Sequence, residues 1–151
     1  MDEIFQFNIR VYAILYSSNR NSVLLSDEYR EGAYMTKFPG GGLQFGEGTI
    51  DCLKREALEE FDQEIEVLEH FYTTDFFQKA LFFKNQQLIC IYYIAKFITE
   101  PKFKISNKNF DFPEVIEGAQ SFRWIPLEKL SPELLTFPID KKIVELIKKR
   151  N

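Results

Sequence analysis

The sequence predicts an α+β fold in which a mixed β-sheet lies between helices, as an α/β/α sandwich. Segments rich in β-branched and aromatic residues occupy most of the chain, whereas a helical period occurs only twice, once early and once near the end. Such a sheet needs cover on both faces. The length of 151 residues, 45% of them apolar, is that of one domain. We therefore expect a single domain over residues 1–151.

The first half of the chain predicts two strands and a helix. Alternating residues from Phe7 to Tyr16 predict a strand, the polar run 17–22 predicts a turn, and Val23–Tyr29 predicts the returning strand of a hairpin. A helix is predicted from Thr49, its expected N-cap, to Phe61. Its expected apolar face consists of Ile50, Leu53, Ala57 and Phe61.

The second half predicts three more strands and a closing helix. The strands are expected at Ile65–Phe77, Gln87–Phe97 and Ser121–Ile125. A polar loop at 100–118 separates the last two strands. The closing helix is expected from about Pro138 to Lys149. Strands therefore outnumber helices, as the α+β prediction requires.

Charge and composition exclude several classes of protein. The 19 Lys and Arg against 23 Asp and Glu give a net charge of −4, which does not suit sequence-independent binding of nucleic acid. The chain has no apolar stretch of about 20 residues for a membrane span, and its acidic first residues do not resemble a signal peptide. Cys52 and Cys90 lie far apart, which favours neither a zinc knuckle nor a disulfide framework. We therefore expect a protein of the reducing cytoplasm.

The single histidine narrows the possible chemistry further. His70 lies in a strand-like run, and nothing in the sequence supplies the partners of a Ser-His-Asp or Cys-His system. If the protein is an enzyme, carboxylates and a hard metal ion remain.

Three glutamates are spaced to crowd one surface of the first helix. Glu56 lies three residues before Glu59 and four before Glu60, and like charges at these spacings cost a few tenths of a kcal/mol per pair. Glu47 lies just before the helix, and Arg55 is placed to pair with Glu59. A solvated acidic face is one interpretation of this pattern. The other is a site for Mg²⁺, which prefers oxygen ligands and shares them with substrate phosphates.

A run of three glycines precedes this helix. Gly40–Gly42 follows Pro39 and exposes main-chain carbonyl and N–H groups beside the carboxylates. A carbonyl could bind a metal ion and an N–H could meet a phosphate oxygen. Glycine-rich turns are also common without any such role. The glycines therefore indicate a site only in combination with the glutamates and Arg55.

The joint pattern resembles a known family. The spacing Gly41-x5-Glu47-x7-Arg55-Glu56-x-x-Glu59-Glu60 matches the Nudix box of the Nudix hydrolases. The flanking segments Lys37–Gly41 and Phe122–Leu127 are also similar to that family. The resemblance covers nearly the whole chain and implies the Nudix fold.

Three positions depart from the box. Ala57 is smaller than the usual aliphatic residue, Asp62 replaces the final glycine, and Gln63 replaces the last aliphatic residue. Asp tolerates the left-handed backbone of a C-cap, so Asp62 is expected to preserve the end of the helix. None of the three changes removes a metal ligand.

The resemblance implies a role for each matching residue. Mg²⁺ or Mn²⁺ would bind Glu56, Glu59, Glu60 and the Gly40 carbonyl. Glu47 would support the site, and Arg55 would hold a glutamate in its working rotamer. A base or further ligand on a later loop is best assigned to Glu117, with Glu114 second. The catalytic set is then Glu47, Arg55, Glu59 and Glu117.

The resemblance also implies a reaction. We expect Mg²⁺-dependent cleavage of a pyrophosphate linkage, by water attack on phosphorus, in a nucleoside diphosphate linked to another moiety. Proline and tyrosine markers of two subfamilies are absent between Thr73 and Ile91, which favours a nucleoside triphosphate or a nucleotide-sugar. The alternatives are a nucleotide-sensing Nudix module without catalysis and an interaction protein with an acidic helix. A homodimer is possible.

Several aromatic residues are candidates for stacking on a base. Aromatic side chains are more often buried in the core, which is the other interpretation of each of them. The candidates are Phe5, Phe7, Tyr34, Phe76 and Phe77.

Overall fold

The structure of the protein is a computed structural model that describes residues 3–150. The strands are β1 (Gln6–Leu15), β2 (Ser22–Arg30), β3 (Ala33–Lys37), β4 (Gly40–Gly42), β5 (Ile65–Thr73), β6 (Gln86–Phe97) and β7 (Ala119–Pro126). The helices are α1 (Thr49–Phe61) and α2 (Pro138–Arg150), with short 3-10 turns at Leu127–Lys129 and Pro132–Leu134. No helix in these residues is long and apolar enough to cross a membrane.

The seven strands form two sheets. One has the order β4-β1-β6-β5, with β1 and β6 parallel and the other pairs antiparallel. The other is antiparallel and has the order β3-β2-β7. The predicted α+β fold with a mixed sheet is confirmed, although the strands divide between two sheets.

The predicted opening hairpin is wrong. Residues 17–22 do turn, since the Ser17 N–H donates to the Ser22 carbonyl at 2.9 Å. However, β1 already has β4 on one side and β6 on the other, so β2 pairs with β3 and β7 instead. A single bridge between Tyr16 and Val23 joins the two strands. The local turn signal could not show that distant strands compete for both edges of β1.

Side chains alternate along β1, so this strand contributes to two hydrophobic cores. Val11, Ala13 and Leu15 pack with the buried face of α1. The intervening residues Tyr12 and Ile14 pack with α2. The buried face of α1 consists of Cys52, Leu53, Ala57 and Phe61. The face predicted from the sequence is thus correct except for Ile50, which is 43% exposed and is replaced by Cys52.

The ends of α1 show how the sequence sets its length. Its N-cap is Gly48, not Thr49, and the Gly48 N–H donates to the Asp51 carboxylate at 3.3 Å. Thr49 is the first helical residue, and its hydroxyl is 2.6 Å from that of Tyr93. At the other end Asp62 has a φ of 54°, and its N–H donates to the Leu58 carbonyl. The prediction that Asp62 takes the left-handed C-cap is confirmed.

Between β5 and β6 the chain forms an additional short hairpin over residues 78–88. The Ala80 N–H donates to the Gln86 carbonyl at 3.0 Å, and the Leu88 N–H donates to the Gln78 carbonyl at 2.8 Å. At its tip the Phe82 ring meets the Phe137 ring, just before α2, at a centroid distance of 6.1 Å. β5 therefore ends at Thr73 rather than at the predicted Phe77, and the hairpin reaches toward α2.

Candidate active site

A cavity of about 300 Å³ opens where α2 does not cover β1 and β6. Its floor is formed by these two strands, one side by β2 and β3, and its rim by the 78–88 hairpin and the residues before α2. The glycines of β4 and two glutamates of α1 line it as well. Its principal side chains are Arg10, Tyr12, Glu28, Lys37, Glu56, Glu60, Phe82, Phe83, Tyr92, Glu117, Phe137 and Asp140.

Two glycines of β4 allow the backbone to pass close to its neighbours. A Cβ on Gly41 would lie 2.4 Å from an Oε atom of Glu56, so the glutamate carboxylate rests directly against this glycine. Gly40 has a φ of +142°, and a Cβ there would lie 2.1 Å from the Val11 carbonyl. A larger residue at Gly40 would push the β1 backbone away, whereas one at Gly41 would displace the Glu56 carboxylate.

Arg55 draws three glutamates toward itself. Its Nε and Nη2 donate to the two oxygens of Glu47 at 3.0 and 2.8 Å, and this pairing lowers the pKa of Glu47 to about 2. Its Nη1 donates to Glu56 at 3.2 Å and to Glu59 at 3.1 Å. The Glu59 side chain is 56% exposed and lies at the solvent side of the group. Arg55 thus fixes the direction of these carboxylates.

Glu60 lies on the same face of α1 as Glu56, but its carboxylate has Gln120 rather than Arg55 as its partner. It accepts a hydrogen bond from the Gln120 amide at 3.2 Å, and the same amide donates to Glu28 at 3.2 Å. Burial raises the pKa of Glu60 to about 7, and Glu28 and Glu56 add repulsion, while Lys37 and Gln120 act in the opposite sense. Glu60 therefore holds its proton to a higher pH than an exposed glutamate does.

Sequence reasoning missed a buried pair beside Glu60. The Lys37 ammonium lies 3.3 Å from the Glu28 carboxylate and donates to the Phe38 carbonyl at 3.0 Å. Burial alone would raise the pKa of Glu28, but Lys37, Ser26 and Arg30 lower it overall. The only signal in the sequence was the presence of two charged residues, Glu28 and Lys37, among the apolar residues of β2 and β3.

The structure brings Glu117 to the cavity but not Glu114. Both Glu117 oxygens accept from the Glu31 N–H, at 3.1 and 2.9 Å, and Glu117 lines the cavity. Glu114 is exposed and is not among the residues that line the cavity. The placement favours Glu117 over Glu114 as the loop glutamate.

The predicted stacking residues do not line the cavity. Phe5, Phe7, Tyr34, Phe76 and Phe77 are all exposed, so they belong neither to the cavity nor to the core. Apart from the strand residues Tyr12 and Tyr92, the aromatic residues that do line it are Phe82, Phe83 and Phe137. These lie in a hairpin and a loop whose positions depend on long-range packing.

The donors present fit a hard divalent cation. Glu56, Glu59 and Glu60 offer only carboxylate oxygens, the ligand type of Mg²⁺ and Mn²⁺. Within residues 3–150 no three acidic, cysteine or histidine side chains already converge on one point. Arg55 instead holds Glu56 and Glu59, and Glu60 pairs with Gln120.

A comparison with known protein families identifies the family of this chain. The family described as NUDIX domain matches residues 6–147. The chain belongs to the Nudix family. With the glycine and every charged position of the Nudix box filled, it is a Nudix-type pyrophosphohydrolase. No curated protein matches the sequence.

Solved structures of Nudix proteins share the fold. A NUDIX hydrolase from Nitrosomonas europaea has 17% identity and a TM-score of 0.70, covering 96% of this chain and 90% of that one. A MutT protein from Methanosarcina mazei Go1 has 17% identity and a TM-score of 0.70, covering 97% and 96%. A MutT NUDIX hydrolase from Burkholderia pseudomallei has 20% identity and a TM-score of 0.69, covering 95% and 99%. The Nudix fold is thereby confirmed.

Asp140 is a buried acid that sequence reasoning also missed. It lies in the first turn of α2 at the cavity wall and accepts a hydrogen bond from the Tyr92 hydroxyl. Burial raises its pKa to about 6, from an ordinary value of 3.8, although Tyr92 and Lys37 favour its charged form. The folded protein therefore holds a proton here over a pH range in which the unfolded chain has lost it.

This difference predicts how Asp140→Asn changes the pH dependence of stability. Between about pH 4 and 6 the native state binds more protons than the unfolded state, so the free energy of unfolding falls as the pH rises. The fall due to Asp140 is at most about 3 kcal/mol, and Asp140→Asn is expected to remove it. Urea titrations from pH 4 to 7 would measure this, with the exposed Glu66→Gln as control. Parallel curves for wild type and Asp140→Asn would contradict the assignment.

Proposed function

We propose that this Nudix enzyme cleaves a pyrophosphate linkage in a nucleoside diphosphate linked to another moiety, in a Mg²⁺- or Mn²⁺-dependent reaction. A nucleoside triphosphate or a nucleotide-sugar is the preferred substrate. The observation that carries the proposal is that Glu56, which rests against Gly41, and Glu60 both line a cavity with cationic and aromatic walls. One end suits a metal-bound diphosphate, and the other suits a nucleoside.

The residues of the site have two proposed roles, metal binding and positioning of the ligands. Glu56, Glu59, Glu60 and the Gly40 carbonyl would hold the ion. Once bound, the ion would supply charge neutralisation at the phosphates and a lower pKa for the attacking water. Arg55 and Glu47 keep the carboxylates in place through the hydrogen bonds described above.

A base is also needed to accept the proton of the attacking water. Glu117 is our candidate because it lies at the cavity, on a loop separate from α1. Its present partner, the Glu31 N–H, donates to the carboxylate and so fixes its direction.

The cavity offers complementary groups for the rest of a nucleotide. Phe82, Phe83 and Phe137 provide apolar and aromatic surface for a base. Gln78 and Asp140 provide hydrogen-bonding groups. A volume of about 300 Å³ is at the lower end for small-molecule sites, so the second moiety would extend outside it.

A substrate panel tests the proposal. Nucleoside triphosphates and nucleotide-sugars are incubated with Mg²⁺ or with EDTA, and products are identified by mass, which also shows which phosphorus is attacked. We expect turnover only with the metal, and large losses in Glu59→Gln and Glu60→Gln but not in the surface control Glu66→Gln. The panel includes UDP-sugars because one similar structure, at 17% identity and a TM-score of 0.63 over 95% of this chain and 62% of its own, is called a UDP-X diphosphatase.

The panel also tests the alternatives. Activity unchanged in both glutamate variants would remove the metal-site proposal. Saturable nucleotide binding with no product would favour a sensing module instead. Failure to bind Mn²⁺ in an equilibrium titration would favour an interaction protein without catalysis.

Location and assembly stay proposals. Cys52 and Cys90 are both buried and free, which supports the cytoplasm or another reducing compartment. A homodimer stays a prediction, to be tested by sedimentation of the purified protein.

A further inference from the structure

Arg10 places a guanidinium inside the cavity. It lies on β1 between Gly42 of β4 and Cys90 of β6, on the sheet face that α2 leaves uncovered. A Cβ on Gly42 would lie 3.6 Å from its Nη1, so the guanidinium extends along the glycine strand. It therefore lies between the glutamates of α1 and the part of the cavity that suits a nucleoside.

Its partner is a tyrosine rather than an acid. Arg10 Nε donates to the Tyr12 hydroxyl at 2.6 Å, and the guanidinium carbon lies 5.7 Å from the Tyr12 ring centroid. Among residues 3–150 its Nη atoms have no hydrogen-bond acceptor. Four N–H donors in a rigid fork are thus available to a molecule in the cavity.

The other cations of the cavity are engaged. Lys37 pairs with Glu28 at 3.3 Å, and Arg30 donates to the same carboxylate at 2.8 Å. In the part of the chain that the structure describes, Arg10 is the cavity cation without an ion pair. A planar guanidinium that lacks an acid is suited to bidentate binding of a phosphate.

We propose that Arg10 binds the phosphate on the nucleoside side of the bond that is cleaved. This inference rests on the proposed function and specifies how the substrate lies. The nucleoside occupies the cavity under the 78–88 hairpin, and the second moiety points outward across α1. Arg10 thereby contributes affinity for the nucleotide half of the substrate, independently of the metal ion.

Metal-free binding measures this contribution. Isothermal titrations in EDTA compare the 5′-monophosphates of adenosine, guanosine, cytidine and uridine with the parent nucleosides. For the best-bound base, we expect Arg10→Met to weaken monophosphate binding by about tenfold or more and to leave nucleoside binding unchanged. Arg10→Lys, which keeps the charge but not the fork, is expected to lie between the two.

Arg20→Met is the matched control. Arg20 also stacks over a tyrosine, at 4.8 Å from the Tyr16 ring, but it lies on the exposed turn before β2 and does not line the cavity. We expect wild-type affinities in this variant. Retention of the phosphate preference in Arg10→Met would overturn the proposal, as would a wild type that binds no monophosphate more tightly than its nucleoside.

The readout separates this proposal from the hydrolase proposal. Binding in EDTA needs neither metal nor turnover. Loss of the phosphate preference in Arg10→Met, in a protein that hydrolyses nothing on the panel, would keep the Arg10 site and remove the hydrolase function. Hydrolysis by the wild type, with an unchanged phosphate preference in Arg10→Met, would keep the hydrolase function and remove the Arg10 site.

Discussion

Glu60→Gln is expected to lower kcat for Mg²⁺-dependent hydrolysis by more than about a hundredfold. Loss of outer-shell partners of a metal ligand already costs about 10- to 100-fold, and loss of a proposed ligand should cost more. Glu60 is also less exposed than Glu59, and its carboxylate lies at Gln120 and near Glu28 and Lys37. Steady-state kinetics at saturating substrate and Mg²⁺ would measure the loss.

Stability separates this effect from damage to the fold. Burial raises the pKa of Glu60 to about 7, so the native state favours its neutral form, and a neutral amide of the same shape fits that environment. In EDTA at neutral pH the free energy of unfolding of Glu60→Gln should therefore be no lower than that of the wild type. Turnover within twofold of wild type would contradict the assignment of Glu60, whereas joint loss of activity and stability would indicate a structural role.

The parts of this site that sequence could predict are local. The Nudix box occupies one turn and one helix, and helical spacing alone places Arg55 beside Glu59. The limits of α1 and the left-handed Asp62 followed from the same short-range rules. Glu117 could be chosen only through the family resemblance, since it lies 57 positions after Glu60.

The parts that sequence could not predict depend on strand pairing. Alternation along β1 shows that Arg10 and Tyr12 share a face, but not which strands lie beside them. The pairing of β1 with β6, some 80 residues later, turns that face into a cavity floor. Asp140 reaches the same floor only because α2 returns across it. The wrong prediction of a β1–β2 hairpin and the failure to identify Arg10 and Lys37 as cavity residues thus have the same cause, which is long-range strand pairing.

Asp27→Ala is expected to destabilise the protein by about 3–5 kcal/mol, because it leaves a buried cation without its partner. Asp27 is fully buried, and both its oxygens accept from Arg123, at 2.6 Å from Nε and 3.0 Å from Nη2. It also accepts from the Thr36 hydroxyl at 2.7 Å and from the Phe110 N–H at 3.1 Å. Chemical denaturation of both proteins would give the difference in free energy of unfolding.

The double variant Asp27→Leu with Arg123→Met supplies the control. Replacing both charges by apolar groups removes the unpaired cation, so we expect it to regain much of the lost stability. It cannot restore the contact with Phe110, which anchors the 98–118 segment that leads to Glu117. The double variant should therefore recover folding more completely than hydrolytic activity. Equal stability of Asp27→Ala and wild type would show that the pair contributes little, and full recovery of activity would show that this anchor does not position Glu117.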